Sequence, residues 1–430
     1  MRENPSISAG CMALSGVAGG CTIVCSMAAV TMRDFTGRLR GSTGLLEPGS
    51  VAAAVLVLTG FSFFRVALLP EFGRDLAMST VQLGTVTTAF AVGRLIADLP
   101  GGHVADRFRA ARIMAVSATG VALGSLILAT AGSVLPVYVA AFLLGVCSAT
   151  TNATGMTYYS NAGGGEFRGT SMAVFSAALL GGQALGPAGA GLIAGAVGWR
   201  PAMVVAAVGA AIVAVVLAWR TRSKRLDPRP QAEPQARGDQ VVPAPGAMMI
   251  LQAVSFAVFL TLSAVSQTLV PLIGSDDLGL GAAAIGLALG AGGFARFVGT
   301  LVGGRLSDRM SRKAALVPGL IGQAAGVALL ALPPSAVSWV AAIIVMSLSS
   351  YAVPVAATIL GDLSDPNRVG SQLGRFRFVG DIGSVVGPVS VTAIYQGFGR
   401  VAAFSVVAAI LATVGVVCWR VLPETAATAD

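Results

Sequence analysis

From Val51 onward the chain alternates long apolar runs with short polar connections. Each run holds about twenty residues, enough at about 1.5 Å rise per residue for an α-helix to cross a hydrocarbon core of roughly 30 Å. The runs fall near 50–70, 79–102, 110–132, 135–157, 167–194 and 200–219, then 246–270, 280–303, 313–332, 335–360, 370–396 and 399–420. The pattern predicts an all-α membrane protein with 12 transmembrane helices. Glycine and proline recur inside the runs, which lipid tolerates where neighbouring helices pack closely. Residues 50–219 and 246–420 then form two six-helix bundles, joined by a linker at 220–245 and followed by a tail at 421–430. Residues 1–49 read as a poorly ordered extension: Ser6–Met32 carries no charge, yet has few large aliphatic side chains.

The polar connections set the orientation. One alternating set holds Arg33, Arg38, Arg40, Arg107, Arg109, Arg112, Arg168, the basic linker, the 305–313 loop, Arg368 and Arg420. The other set holds Arg74, Arg200 and Arg400. The positive-inside bias places both ends of the bundle in the cytoplasm, in a plasma or inner membrane. The linker is polar and proline-rich and reads as a mobile tether between the bundles.

Composition agrees with this reading and removes alternatives. The chain has 430 residues, 55% hydrophobic and 11% charged, against roughly 25% charged residues in soluble domains. A lipid bilayer is therefore its expected surrounding. The net charge of +9 sits in short segments between apolar runs, which argues against nucleic acid as a partner. The five cysteines lack metal-ligand spacing and His103 is the single histidine. No metal site, no cofactor and no nucleophile–base pair is expected, so the chain does not read as an enzyme. A monomer is expected.

One polar stretch is duplicated. GRLIADLPGGHVADRFRAAR at Gly93–Arg112 recurs as ARFVGTLVGGRLSDRMSRK at Ala295–Lys313. Gly101, Gly102, Asp106 and Arg107 thus match Gly303, Gly304, Asp308 and Arg309. A repeat of this kind means two related halves. The paired glycines would remove side chains where one helix must approach another. A second pattern runs through the fifth span at Gly182, Gly186, Pro187, Ala190 and Gly191, and part of it returns at Gly383, Gly387 and Pro388.

Two six-span halves, a basic linker and the duplicated Gly-Gly…Asp-Arg loop resemble the major facilitator superfamily over roughly residues 50–420. The fifth-span run resembles the glycine pattern of its proton-coupled antiporters, with Ala190 in place of one glycine. The resemblance implies a rocker-switch fold with a substrate cavity between the halves, and efflux. It also implies a cytoplasmic gate, with Asp106 held by span 11 and Asp308 by span 5. A carboxylate at a helix N-terminus gains about 0.3–1 kcal/mol, and up to about 2 when partly buried. The chain departs from the family at span 4, where Ala140 to Gly145 lacks the arginine many antiporters carry.

Charges inside spans are costly and are usually functional. Here they are Arg65, Arg94, Asp98, Arg296, Arg377 and Asp381. Depth counting, at about 1.5 Å per residue, allows Asp98 to meet Arg377 and Arg94 to meet Asp381 across the halves. Each pair also stands at i,i+4 on its own helix, and both arrangements remain open. Asp98 and Asp381 are the candidate proton carriers. Arg296 is the repeat-mate of Arg94, but Thr300 stands where Asp98 would recur. Arg65 likewise has no acid at its depth, so the cavity would suit an anionic or carbonyl-rich substrate. Candidate cavity residues are Asn152, Tyr158, Tyr159, Gln183, Gln252, Ser255, Gln267 and Tyr351. The expected function is a proton-gradient-driven secondary transporter exporting small organic molecules such as a drug, antibiotic or metabolite. A proton-coupled uptake symporter for an organic anion is the alternative, and a non-transporting receptor or scaffold comes third.

Overall fold

The computed structural model describes residues 48–107, 110–162, 164–222, 245–309, 311–364 and 369–422. The described residues are helical, with short connections and no strand. The first half contains α1 (Pro48–Asp75), α2 (Thr80–Arg107), α3 (Ala110–Ala129), α4 (Val134–Ala162), α5 (Gly164–Val197) and α6 (Trp199–Arg222). In the second half α7 covers Pro245–Leu260, Thr261–Leu269 and Val270–Asp276. It is followed by α8 (Ala282–Arg309), α9 (Arg312–Leu329) and α10, which covers Ala336–Leu348, Ser349–Tyr351 and Ala352–Asp362. The last helical stretch, Val369–Val421, is broken at Gly399 into α11 and α12.

Among the described residues, twelve helices therefore stand where the twelve apolar runs lie. By length and apolarity alone, nine stretches among the described residues would cross a membrane, with α11 and α12 read as one. The remaining two are α2, interrupted by Arg94 and Asp98, and α9, which opens on Arg312 and Lys313. Exposed apolar side chains such as Val116, Val208, Val215, Val406 and Val416 mark the lipid-facing surface. The extension (1–47), most of the linker (223–244) and the tail from 423 lie outside the described residues.

Two helices depart from the plain spans expected. In α7, Thr261–Leu269 is wound as a π-helix, and the helix continues to Asp276 rather than ending near 270. The Thr268 hydroxyl bonds the Ser263 carbonyl at 2.9 Å, five residues back, and shares a 2.9 Å hydrogen bond with Thr87 of α2. In α10, a 3-10 turn at Ser349–Tyr351 interrupts the α-helix. Such irregular turns frequently mark functional positions.

The repeat seen in the sequence reappears in the packing. In the first half α1 packs on α5, α2 on α4 and α3 on α6; in the second α7 packs on α11, α8 on α10 and α9 on α12. Glycines let the backbones touch. A β-carbon at Gly182 would lie 2.4 Å from the Leu56 carbonyl, and one at Gly383 would lie 2.4 Å from the Phe256 carbonyl. Gly186 stands against Gly60 and Gly387 against Leu260 in the same fashion. The turns match as well: Gly198 (φ 89°) and Gly399 (φ 82°) enter α6 and α12 in the left-handed region, where glycine carries no steric penalty. Each turn is followed by an arginine that reaches back, Arg200 to Asp75 at 3.0 Å and Arg400 to Asp277 at 3.5 Å. The face holding these turns is called the opposite face below. The terminal face holds Pro48, Arg222, Pro245 and Val421.

Candidate functional site

The halves meet along two helix pairs. On one side α2 packs on α11: Thr88 donates to the Val385 carbonyl at 2.8 Å, and a β-carbon on Gly84 would lie 2.8 Å from the Pro388 carbonyl. On the other side α5 packs on α8. A β-carbon on Gly191 would lie 2.3 Å from the Ala282 carbonyl and 2.8 Å from the Gly286 Cα. One on Gly286 would lie 2.5 Å from the Pro187 carbonyl. These positions belong to the part of each helix nearer the opposite face. They close the interface there.

Below this seal lies a cavity of about 60 Å³. Its walls come from both halves: Phe63 and Val66 of α1, Leu180, Gln183 and Pro187 of α5, Leu262, Ser266, Gln267 and Val270 of α7, Leu289, Gly292, Gly293 and Arg296 of α8, and Ile343, Met346 and Ser347 of α10. The walls are mainly apolar, with a few polar groups at mid-depth, the usual make-up of a small-molecule site. The π-wound segment of α7 supplies Leu262, Ser266 and Gln267.

Two arginines anchor the polar part, and each reaches across the halves. Arg65 is fully buried. Its Nη2 donates to Gln267 Oε1 at 3.0 Å, and its guanidinium lies 3.8 Å from the centre of the Phe90 ring. Its Nε and Nη1 have no partner. Arg296 is half-buried, with Nη1 3.5 Å from Gln183 Oε1 and a buried Nε without a partner. No ion pair among the described residues involves either arginine.

The remaining intramembrane charges gather between α2 and α11. Asp381 is the one buried carboxylate among the described residues. Arg94, Asp98 and Arg377 all lie within its electrostatic range. The crossed pairs that depth counting allowed are not formed: no ion pair joins Asp98 to Arg377 or Arg94 to Asp381. Arg377 is exposed instead and points its Nη1 at Met156 Sδ of α4, 3.5 Å away. The helices come together as depth counting requires, but their side chains are free to turn away from each other.

Of the expected cavity residues, Gln183 and Gln267 border this cavity. Asn152 is buried in α4, its Oδ1 without a partner, and Ser255 is buried in α7. Tyr158 and Tyr159 stack edge to face at 5.3 Å inside the first half, and Tyr159 packs on Phe175. They serve as core. Gln252 is half-buried and does not border the cavity. Tyr351 is also corrected: its Cβ and Cγ fill the space beside Gly303 and its ring edge approaches Gly319, so it wedges α8, α9 and α10 together. Cavity residues that sequence reasoning passed over include Phe63, Ser266, Ser347 and Met346, ordinary span residues that carry no signal of their own.

At the duplicated loop, Gly303 has no room for a β-carbon, which would lie 2.4 Å from Tyr351. Gly304 has open space within 4 Å, so the expected close approach does not extend to it. Arg309 is exposed. The side chains of Asp106, Arg107 and Asp308, and the surroundings of Gly101 and Gly102, lie outside the described residues. In the glycine run, Gly182 and Gly186 pack within the first half, Gly191 seals the two halves together, and Pro187 borders the cavity. Gly387 packs on α7, and Pro388 meets α2 through its carbonyl.

The family model for the Major Facilitator Superfamily matches residues 51–272 and 253–430. The puromycin resistance protein pur8 of Streptomyces alboniger is 34% identical over 156 residues, 35% of this chain and 30% of that one. The class C tetracycline resistance protein of Escherichia coli is 25% identical over 338 residues, 76% of this chain and 84% of that one. Plastidic glucose transporter 4 of Arabidopsis thaliana is 29% identical over 189 residues, 43% and 35% of the two chains. The match to pur8 thus spans under a third of that protein's length. Among solved structures, a bacterial homologue of the human lysosomal transporter Spinster, inward-facing and occupied, superposes with a TM-score of 0.70 at 14% identity. That match covers 86% of this chain and 95% of the other.

Proposed function

The chain belongs to the major facilitator superfamily and is a multi-pass membrane transporter; we propose that it exports small organic molecules in exchange for protons, by alternating access. The observation that carries this reading is the cavity between the halves, sealed toward the opposite face by packed glycines. With the positive-inside orientation the terminal face is cytoplasmic, so this state loads substrate from the cytoplasm. Rocking the halves about the cavity would part the α2–α11 and α5–α8 seals and expose the same site outside.

Asp381 supports the proton step. It is a buried carboxylate between the halves, with Asp98 and two arginines around it. A proton taken up from outside neutralises Asp381 and changes the balance among these charges, which biases the switch. The proton is then released on the cytoplasmic side. The fifth-span glycine run and the two resistance-protein relatives favour export of a drug-like substrate. Uptake of an organic anion is the second reading, favoured by Arg65 and Arg296, which have no acid partners.

Everted and right-side-out proteoliposomes with an imposed pH gradient separate the two. Tetracycline and puromycin serve as first probes, with proton movement followed by a pH-sensitive dye. Export predicts that a substrate accumulates inside everted vesicles as their internal acidity is consumed. Accumulation only down an inward proton gradient into right-side-out vesicles favours the symporter. Proton flux indifferent to every compound overturns both.

A further inference from the structure

Arg65 and Arg296 belong to opposite halves, and each donates to a glutamine of the other half. A guanidinium has only donors, so the amide oxygen of each glutamine must face it. That fixes the amides. Gln267 and Gln183 have their Oε1 atoms engaged by arginine, which leaves their N–H groups for the cavity both residues line. The other polar lining groups are the Arg296 guanidinium and the Ser266 and Ser347 hydroxyls. Among the described residues no carboxylate borders the cavity. The polar belt thus consists of amide donors, one guanidinium and two adaptable hydroxyls. It lies between apolar walls such as Phe63, Leu180, Leu289 and Ile343.

A buried charge without a counter-ion is costly. Arg65 is buried, Arg296 is half-buried at the cavity wall, no ion pair among the described residues reaches either, and three of their guanidinium nitrogens are unbonded. A ligand supplying a carboxylate would give Arg296 the counter-ion it lacks. We propose that the cavity binds amphipathic carboxylates, with the carboxylate on Arg296 and the amide groups of Gln183 and Gln267, and the hydrocarbon part against the apolar walls. Arg65 is a positioning residue: it borders no open space itself but holds the Gln267 amide with its donors toward the ligand. This rests on the transport reading above and narrows its substrate to an organic anion. Because each arginine–glutamine bond crosses the halves, the anion would also bind where the two halves are tied together.

The test uses the full chain in neutral-lipid nanodiscs and a matched set of probes: 2-naphthoate, methyl 2-naphthoate and 2-naphthylmethylammonium, with benzoate and hexanoate for size. Binding is read by calorimetry and by the shift in melting temperature. At least one carboxylate should bind and stabilise, while the ester and the ammonium bind on the order of tenfold more weakly or not at all. Arg296→Gln should weaken carboxylate binding on the order of tenfold or more. Should that variant not fold, Gln183→Leu and Gln267→Leu decide, each expected to weaken binding several-fold. Arg65→Lys, which keeps the charge and loses the guanidinium fork, should weaken the carboxylate several-fold and so narrow its advantage over the ester. The proposal is overturned if no carboxylate binds, if the ammonium binds as well, or if the folded variants bind carboxylate with unaltered affinity. Carboxylate binding without proton-driven movement would sink the transport reading and keep the anion site. Proton-driven export of cations with no carboxylate binding would do the reverse.

Discussion

Replacing Gly191 by alanine adds one methyl group at the seal between α5 and α8. That methyl would sit 2.3 Å from the Ala282 carbonyl oxygen and 2.8 Å from the Gly286 Cα. Ordinary carbon contacts begin near 3.4 Å, so about an ångström must be found. Both obstacles are backbone, and no flexible side chain can swing aside, so the helices themselves must part. Overpacking of this kind costs about 1–3 kcal/mol. The penalty falls on the sealed state alone, because the opened state separates these helices. At about 1.4 kcal/mol per factor of ten, the equilibrium shifts roughly 5- to 150-fold away from the sealed state. Elsewhere in a helix the same substitution would stabilise by about 0.5–1 kcal/mol. Gly304→Ala is the control, since no atom lies within 4 Å of its would-be β-carbon. Spin labels at Gly132→Cys and Leu332→Cys, on the opposite-face connections of the two halves, report the opening by pulsed electron resonance. Gly191→Ala should move the distance distribution to longer values and Gly304→Ala should not. A folded Gly191→Ala protein with an unchanged distribution would refute the assignment of this glycine to the seal.

Other expectations concern coupling and stability. Asp98→Asn and Asp381→Asn should impair proton-driven transport in vesicles while substrate binding survives; full transport by both variants would end the proton-carrier role. Trp339→Phe removes the 3.0 Å bond from the indole nitrogen to the Val270 carbonyl and should cost about 1 kcal/mol, seen as a lower melting temperature. Arg200→Ala should destabilise more than its repeat-mate Arg400→Ala. Arg200 bonds the Ala129 and Ala131 carbonyls at 3.1 and 3.0 Å besides Asp75, whereas Arg400 makes a single partly exposed contact with Asp277 at 3.5 Å, long for an ion pair and worth about 0–1 kcal/mol. Equal melting temperatures for the two variants would contradict that ranking.

The twelve helices were legible because lipid demands long apolar runs, and their positions follow from run length alone. The internal repeat was legible in the duplicated loop and glycine run, and the matched contacts of Gly182 and Gly383 bear it out. The π-wound segment of α7 was not, since hydropathy records burial and carries no information on which carbonyl an amide chooses. The site was half legible. Arg65, Arg296, Gln183 and Gln267 stood out as polar groups inside spans, but their pairing did not. Charge reasoning looked for acids opposite arginines, and this chain offers neutral amides there. Depth counting placed Arg94, Asp98, Arg377 and Asp381 at matching depths and left open whether they pair across the halves or along their own helices. The structure sets the first three around Asp381 and shows no ion pair of either kind among them. Arg377 is long enough to reach Met156 instead.

Alternating access at this cavity is open to one direct measurement. Ser266 borders the cavity on the π-wound segment, and Ser266→Cys can be placed in a background with the five native cysteines replaced. Its labelling by an impermeant maleimide is then followed from each side of oriented vesicles, with and without a proton gradient. At rest the reagent should react from the terminal face and be blocked at the opposite face. During proton-driven turnover the same cysteine should become reactive from the opposite face too. Reactivity from one face only, under every condition, would contradict the account.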